Sequence, residues 1–245
     1  MALIYLAEIG CYIQGASSSS VTVGGSGDKT FVLDADVAFL AGMTVTADAG
    51  SGNTITGTVA SYTAATKTLV VAASGSAGSG SHSSWTIGGT TTLRYATGAG
   101  YNAASAPGWY DPRIQQPASF EQYLVAPGRT FGDSRAGAGA LVLLNPDGAL
   151  DGLIDYGFDG RSFVLLLGDD AGAYGSFAAV LTGTVEQPEF DFARVTLRLR
   201  DRQAETDVPL QPAKYAGTNS GSTGVEGLTA DLQGKPKVRC WGECW

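Results

Sequence analysis

The residues whose types and spacing best suit chemistry are three oxygen-bearing side chains around a glycine turn. Asn145, Asp147 and Asp151 lie in the segment NPDGALD, and carboxylate and amide oxygens are ligands that Ca²⁺ prefers. A complete calcium loop also needs further ligands and a bidentate acid at its last position, which this segment lacks. An Asx turn is therefore favoured over a metal site, and we expect no bound metal.

Catalytic chemistry has little support in the sequence. Asp169 and Asp170 are adjacent, so on a turn their carboxylates point apart, whereas glycoside hydrolysis needs two carboxyls that face one bond. The single histidine, His82, removes most histidine-based catalysis and metal binding. Since no acid–base pair or activated nucleophile can be assembled, we expect no catalytic residue and no enzymatic activity.

The three cysteines provide neither a disulfide framework nor a metal site. Cys240 and Cys244 supply at most two ligands, while structural zinc takes four, so ordinary burial is the favoured interpretation. Cys11 lies in a predicted strand with no histidine nearby in sequence, which argues against a nucleophile. We expect no cofactor.

Three groups of side chains suit contacts with other macromolecules. The first is aromatic and lies in the long connection 98–117: Tyr101, Trp109 and Tyr110. The second is a row of outward-facing arginines on one strand: Arg194, Arg198 and Arg200. The third is the tryptophan pair near the end of the sequence: Trp241 and Trp245.

The interpretation differs among these groups. Because aromatic residues are enriched in interface cores, an interface is favoured over sugar stacking for the first group. The arginines form either a solvated strand face or ion pairs with carboxylates of a neighbouring subunit. Either the tryptophans dock into a partner, or this sequence is one part of a longer polypeptide, and the second alternative is favoured.

Short strands separated by turn signals are the elements that position these residues. Residues 3–13 carry apolar side chains on both faces, which is typical of a strand buried on both sides, and 90–96 is its natural hairpin partner. In 193–200, Val195, Leu197 and Leu199 alternate with polar residues, which predicts a strand with one buried face. The best helical candidate is the short turn 150–156.

A polar Gly/Ser/Thr-rich block interrupts that first hairpin, which predicts an insertion. We expect a host β-domain at 1–15 plus 90–202, an inserted small β-module at 16–89 and an irregular segment at 203–245. The predicted insert has strands at 21–23, 30–33, 43–47, 54–62, 68–73 and 85–87, a flexible lead-in at 17–20, a loop at 74–84 and an exit hinge at Gly88-Gly89. The predicted host strands after the hairpin are 120–125, 139–144, 161–168, 176–185 and 190–201, with a turn at Gln187-Pro188.

The expected fold class is therefore mainly β: an antiparallel β-sandwich or barrel host with a small all-β domain in its first hairpin. The net charge of −8 argues against a nucleic-acid surface, which needs clustered Lys and Arg. No apolar run is long enough to span a bilayer, and the start of the sequence lacks the features of a secretory signal. We expect synthesis in a cytoplasm and no membrane insertion.

Several continuous stretches of the predicted host resemble tailed-bacteriophage tail-tip, or baseplate, proteins. They are MALIYLAEIGCYI, TTLRYATGAGYN, the runs within 109–118 and 144–161, LRLRDRQAETDVPLQPAKYAGT and LQGKPKVRCWG. The block 16–89 resembles small β-modules of phage tail and fibre proteins in SVTVGGSGDKTFVL, GTVASYTAATKTLVV and GSGSHSSWTI. Together these stretches cover nearly the whole chain.

The resemblance implies a structural virion protein of the tail tip, either a ring-forming distal tail protein or part of the tail hub. Its expected partners are copies of itself, as a trimer or hexamer, and other tail proteins of the tube, hub and fibres. The alternative function is an adhesion module that binds a host-surface glycan. No catalytic residue is implied.

Overall fold

The computed structural model describes residues 2–118, 122–123, 135–136, 139–201, 212–219 and 226–237. Contacts divide the chain into two units, Met1–Arg202 and Gln203–Trp245. The first unit is built almost entirely from antiparallel strands, which confirms the prediction of a mainly β fold.

The described residues form fifteen strands and three short 3-10 helices. The strands are β1 Leu3–Ser17, β2 Val21–Val23, β3 Gly27–Val32, β4 Thr44–Asp48, β5 Thr54–Thr63, β6 Thr68–Ala77, β7 Gly80–His82, β8 Trp85–Ala96, β9 Ile114–Gln116, β10 Gln122–Tyr123, β11 Arg135–Ala136, β12 Ala140–Leu144, β13 Ser162–Asp169, β14 Ala178–Asp191 and β15 Arg194–Asp201. The 3-10 helices are Ala64–Thr66, Asp151–Asp155 and Tyr174–Ser176, and the second of them matches the predicted helical turn.

Eleven strands join in one sheet with the order β3-β6-β5-β4-β8-β1-β13-β14-β15-β12-β9. At its centre, β1 and β8 pair over twelve consecutive residues, from Leu6 opposite Ala96 to Ser17 opposite Trp85. This pairing confirms the predicted hairpin partners. The first half of β1 also pairs with β13, while the first half of β8 pairs with β4.

The central strand β1 is buried on both faces, as its apolar pattern predicts. Ala7, Ile9 and Ile13 enter the larger core, and Ile4 and Leu6 enter a smaller core on the opposite face. The smaller core is completed by Ala96, Tyr101, Tyr110 and Leu166.

The larger core is continuous across the two predicted domains. It includes Phe31, Ile55 and Trp85 from the block 16–89 as well as Leu141 and Phe163 from the predicted host. The strands β1 and β8 both run through the predicted boundaries without interruption. Whether 16–89 is a separate domain stays a prediction, but its core is shared.

Glycines and serines misled the prediction of flexible junctions. The predicted hinge Gly88-Gly89 is wrong, because both residues lie inside β8 and pair with β1 and β4. The predicted lead-in is wrong at Ser17, which is buried in β1 and donates a hydrogen bond from Oγ to the Val32 carbonyl at 2.7 Å. The loop predicted at 74–84 contains the end of β6 and all of β7.

The turn predicted at Gln187-Pro188 is also wrong. β14 continues through both residues with a shift of register between Val185 and Gln187, and the chain turns only after Asp191. Proline lacks an N–H and is tolerated at a free strand edge. Here β13 pairs with β14 only as far as Thr184, so Pro188 lies where that side of β14 has no β13 residue opposite it.

The second unit is described over 212–219 and 226–237. Two isolated bridges hold these segments together, between Thr218 and Leu228 and between Lys214 and Pro236. Lys237 forms an ion pair with Glu226, and its Nζ lies 5.7 Å from the centroid of the Tyr215 ring. The ion pair lowers the pKa of the Glu226 carboxyl.

Candidate functional site

A polar groove lies on the sheet face opposite the larger core. Even-numbered residues of β1, β4, β8 and β13 point to this face because side chains alternate along a strand. In the register of the sheet, Gly10 lies opposite Thr92, and Thr90 lies between Tyr12 and Thr44. The groove encloses about 690 Å³ and is lined by Gly10, Thr44, Thr90, Thr92, Arg94, Pro107, Arg161 and Ser162, with parts of neighbouring residues.

The groove continues along β8 into a second depression of about 370 Å³. Thr44 and Thr90 line both spaces, and Thr46, Asp48, Thr86 and Gly88 line the extension. The walls are hydroxyl-rich, since threonines occupy most of the outward positions of β4 and β8 in this region. We refer to both spaces together as the outer groove.

Two glycines make room for neighbouring side chains at the floor of the outer groove. A Cβ atom at Gly10 would lie 2.7 Å from Ser162 Oγ, and one at Gly88 would lie 2.5 Å from the Tyr12 hydroxyl. Neither position accepts a side chain without displacing its neighbour, because real Cβ contacts are longer. These clashes explain why the sequence has glycine in two central strands, where it is otherwise unfavourable.

Two arginines supply positive charge to the outer groove. The Arg161 guanidinium lies over the Tyr12 ring, with Cζ 5.2 Å from the ring centroid. Arg94 donates from Nη1 to the Thr92 carbonyl at 3.3 Å, while its Nε is buried and has no hydrogen-bond acceptor among the described residues. Within the same part of the chain, no carboxylate forms an ion pair with either arginine.

Glu8 lies directly opposite Arg94 across β1 and β8, yet its carboxylate has other partners. Oε1 accepts hydrogen bonds from the hydroxyls of Tyr110 and Tyr174, the second at 2.6 Å. The hydrogen bond to Glu8 is the main cause that raises the pKa of Tyr174, while burial is the main cause that raises the pKa of Tyr110. The two phenols therefore hold the Glu8 carboxylate in place by hydrogen bonds.

The predicted metal candidates are brought together, but their polar atoms are engaged in internal contacts. Asn145 is buried, accepts from the Leu150 N–H at 2.9 Å and donates to Asp151 Oδ1 at 2.7 Å. Both oxygens of Asp147 accept hydrogen bonds from Arg113 at 2.8 Å, and this pairing lowers the pKa of the Asp147 carboxyl. Among the described residues, no group of three or more His, Cys, Asp or Glu side chains is placed to hold a metal ion.

The aromatic candidates divide between core and surface. Tyr101 and Tyr110 pack edge to face in the smaller core, with ring centroids 5.9 Å apart, and both are buried. Trp109 is about half exposed. In this conformation the tyrosines serve the packing of the chain itself, and Trp109 remains accessible to a partner.

The arginine row has the predicted outward direction, and two of its members pair with carboxylates of β14 in the same chain. Arg198 forms an ion pair with Glu189 at 2.5 Å, and Arg200 forms one with Glu186 at 3.0 Å. Both pairs are exposed, so each contributes little to stability. An interface role for Arg194, Arg198 and Arg200 stays a prediction.

The remaining candidates are inert or outside the described residues. Cys11 is buried in the larger core, its thiol donates weakly to the Thr91 carbonyl of the paired strand β8 at 3.6 Å, and burial raises the pKa of the thiol to about 12. Such a thiol is a poor nucleophile. The residues Cys240, Trp241, Cys244 and Trp245 lie outside the described part of the chain.

Sequence reasoning missed the outer groove. Its members come from four strands and from the connections that contain Gly42, Pro107 and Arg161, so only the folded sheet brings them together. One signal was present in the sequence: from Thr86 to Arg94, every second residue of β8 is threonine, glycine or arginine. An outward row of this composition in a doubly paired strand indicates an uncovered polar face.

Comparison of the chain with models of protein families, with curated proteins and with solved structures found no match. Helical structure in the described residues is confined to short segments, none of which is long and apolar enough to cross a membrane.

Proposed function

We propose that the chain is a structural protein of a bacteriophage tail tip, forming part of a symmetric ring or hub in the virion. The resemblance of the sequence stretches given above motivates the proposal. The structural observation that carries it is a fully exposed phenylalanine, Phe192, in the turn between β14 and β15 at one end of the sheet.

Phe192 follows β14 at the turn into β15 and is fully exposed, and Phe190 is about one-third exposed. Leu144, also about one-third exposed, ends β12 opposite Arg194 and therefore lies on the other sheet face from Phe190, which pairs with Val195. A fully solvated phenylalanine loses the free energy of about 2 kcal/mol that burial of its ring would provide. Exposed aromatic groups of this kind commonly become anchors in interfaces between subunits.

Closed rings require heterologous contacts, in which one surface of a subunit meets a different surface of the next. The Phe192 turn supplies one such surface, and Trp109 lies elsewhere on the chain as a second exposed aromatic residue. The proposed neighbours are a second copy of this chain and other tail proteins of the tube, hub and fibres.

The test is the native mass of the purified chain, measured by light scattering over a range of concentrations. We expect a trimer or hexamer, and we expect Phe192→Ser to shift the mass toward the monomer. Ile154→Ser is the matched control, because Ile154 is an exposed apolar residue in a different part of the fold. A monomer at every concentration, or a mass that Phe192→Ser leaves unchanged, would contradict assembly through this turn.

The alternative function is adhesion to a glycan of the host surface. The outer groove favours this candidate, because hydroxyl-bearing and cationic side chains line an open concave site of suitable size. The two functions are compatible, since the groove and the Phe192 turn use different residues.

A further inference from the structure

We propose that the outer groove binds an acidic saccharide, with a sugar carboxylate held between Arg94 and Arg161. This inference rests on the glycan-binding alternative above and gives it a site and a ligand class. It does not depend on ring formation.

Electrostatics select an anion for this site. The chain carries a net charge of −8, yet two arginines line one groove without a carboxylate partner among the described residues. Arginine presents five N–H donors in a planar fork that matches a carboxylate. Buried polar atoms are nearly always hydrogen-bonded, and the buried Nε of Arg94 has no acceptor among the described residues, so the hydrogen bonds of this guanidinium are incomplete.

The hydroxyl groups of the groove match the rest of a sugar ring. Thr44, Thr90, Thr92 and Ser162 each offer a hydroxyl that both donates and accepts, as sugar hydroxyls do. The volume of about 690 Å³ is in the range of small-ligand sites. The glycine at position 10 leaves room for the Ser162 hydroxyl on the floor of the groove.

An acidic peptide fits the outer groove less well. Extended peptides usually bind by adding a strand to a free sheet edge, where backbone groups are available. The floor of this groove is the middle of the sheet, and β8 is paired with β1 on one side and with β4 on the other. Since the backbone of the floor is occupied, recognition falls to side-chain hydroxyls and charges.

Charge, rather than stacking, is expected to determine affinity. Neutral sugars are often bound by stacking on an exposed aromatic face, and Tyr12 is the aromatic residue that lines the extension. The Arg161 guanidinium covers the Tyr12 ring, so that face is already occupied. We therefore expect binding of a galacturonate oligomer and little binding of the matched neutral galactose oligomer.

The experiment is calorimetric titration of the full chain with tetragalacturonate and with the neutral galactose tetramer at low salt. We expect saturable binding of the acidic oligomer alone, weakened about tenfold or more by Arg161→Gln, because charge-assisted hydrogen bonds are roughly twice as strong as neutral ones. Lys29→Gln is the control: it also removes one positive charge, but on the edge strand β3, outside the groove. It should leave the affinity unchanged.

Three results would overturn the proposal: equal binding of both oligomers, affinity unaffected by Arg161→Gln, or binding of neither oligomer. Binding of a polyglutamate peptide in place of the saccharide would assign the groove to an acidic protein segment instead. Arg94→Gln is a second variant, and circular dichroism establishes that it folds before its affinity is compared. Light scattering on the same samples reports assembly separately, so a failure of saccharide binding is distinguishable from a failure of ring formation.

Discussion

A buried substitution in the block 16–89 should destabilise the whole first unit rather than a local module. Ile55 lies in β5 and is fully buried in the larger core, which also contains Leu141 of the predicted host. Replacing a buried isoleucine with alanine costs roughly 2 to 5 kcal/mol, from lost burial and from the cavity that remains. Because both residues share one core, Ile55→Ala and Leu141→Ala should shift the same cooperative unfolding transition.

The assay is urea unfolding followed in parallel by circular dichroism and by tryptophan fluorescence. With a denaturant slope of about 2 kcal/mol/M, either variant should lower the transition midpoint by about 1 to 2.5 M. Thr58→Ala is the matched control, since Thr58 is an exposed residue of the same strand and its loss should change stability by less than about 0.5 kcal/mol. Two separate transitions, one moved by Ile55→Ala and the other by Leu141→Ala, would refute the shared core.

Three further predictions concern single sites. Between pH 9 and about 12 the unfolded chain loses the Cys11 proton while the folded chain keeps it, so the free energy of unfolding should fall as pH rises, by up to about 1.4 kcal/mol per pH unit. Urea unfolding at several pH values should show a shallower fall in Cys11→Ala, and equal pH dependence in the two proteins would contradict this. Gly88→Ala should lower the free energy of unfolding by about 1 to 3 kcal/mol, because the new methyl group clashes with the Tyr12 side chain. In a double-mutant cycle, Tyr12→Ala should recover part of that loss, and additive effects of the two substitutions would rule out the clash. Millimolar Ca²⁺ should leave the thermal midpoint unchanged because Arg113 holds both oxygens of Asp147, and a rise of several degrees would establish a metal site.

The sequence predicts strands well where the apolar pattern alone determines burial. The double-faced apolar run at the start of β1 and the alternation from Val195 to Leu199 both match the observed cores. Such patterns depend only on which side chains must leave water, and neighbouring residues report that directly.

Prediction failed where a residue type has two physical uses. Gly88 resembles a hinge in sequence, but its role is to make room for the Tyr12 ring, a contact between strands that are far apart in sequence. Pro188 resembles a turn residue, but it occupies a section of β14 that β13 does not reach. The outer groove was missed because Arg94 and Arg161 line one space only after β8, β1 and β13 have paired.

The position of β1 in the sheet also has a consequence for synthesis of the chain on the ribosome. The β1–β8 hairpin is complete once Ala96 has emerged, but the other neighbour of β1 extends to Asp169, opposite Leu3. At typical elongation rates of about 5 to 20 residues per second, the roughly 70 residues between them take about 4 to 15 seconds to make. During that interval the apolar edge of β1 is open to the β1 strands of neighbouring nascent chains. Expression at lower temperature or with a chaperone that covers strand edges should therefore raise the soluble yield.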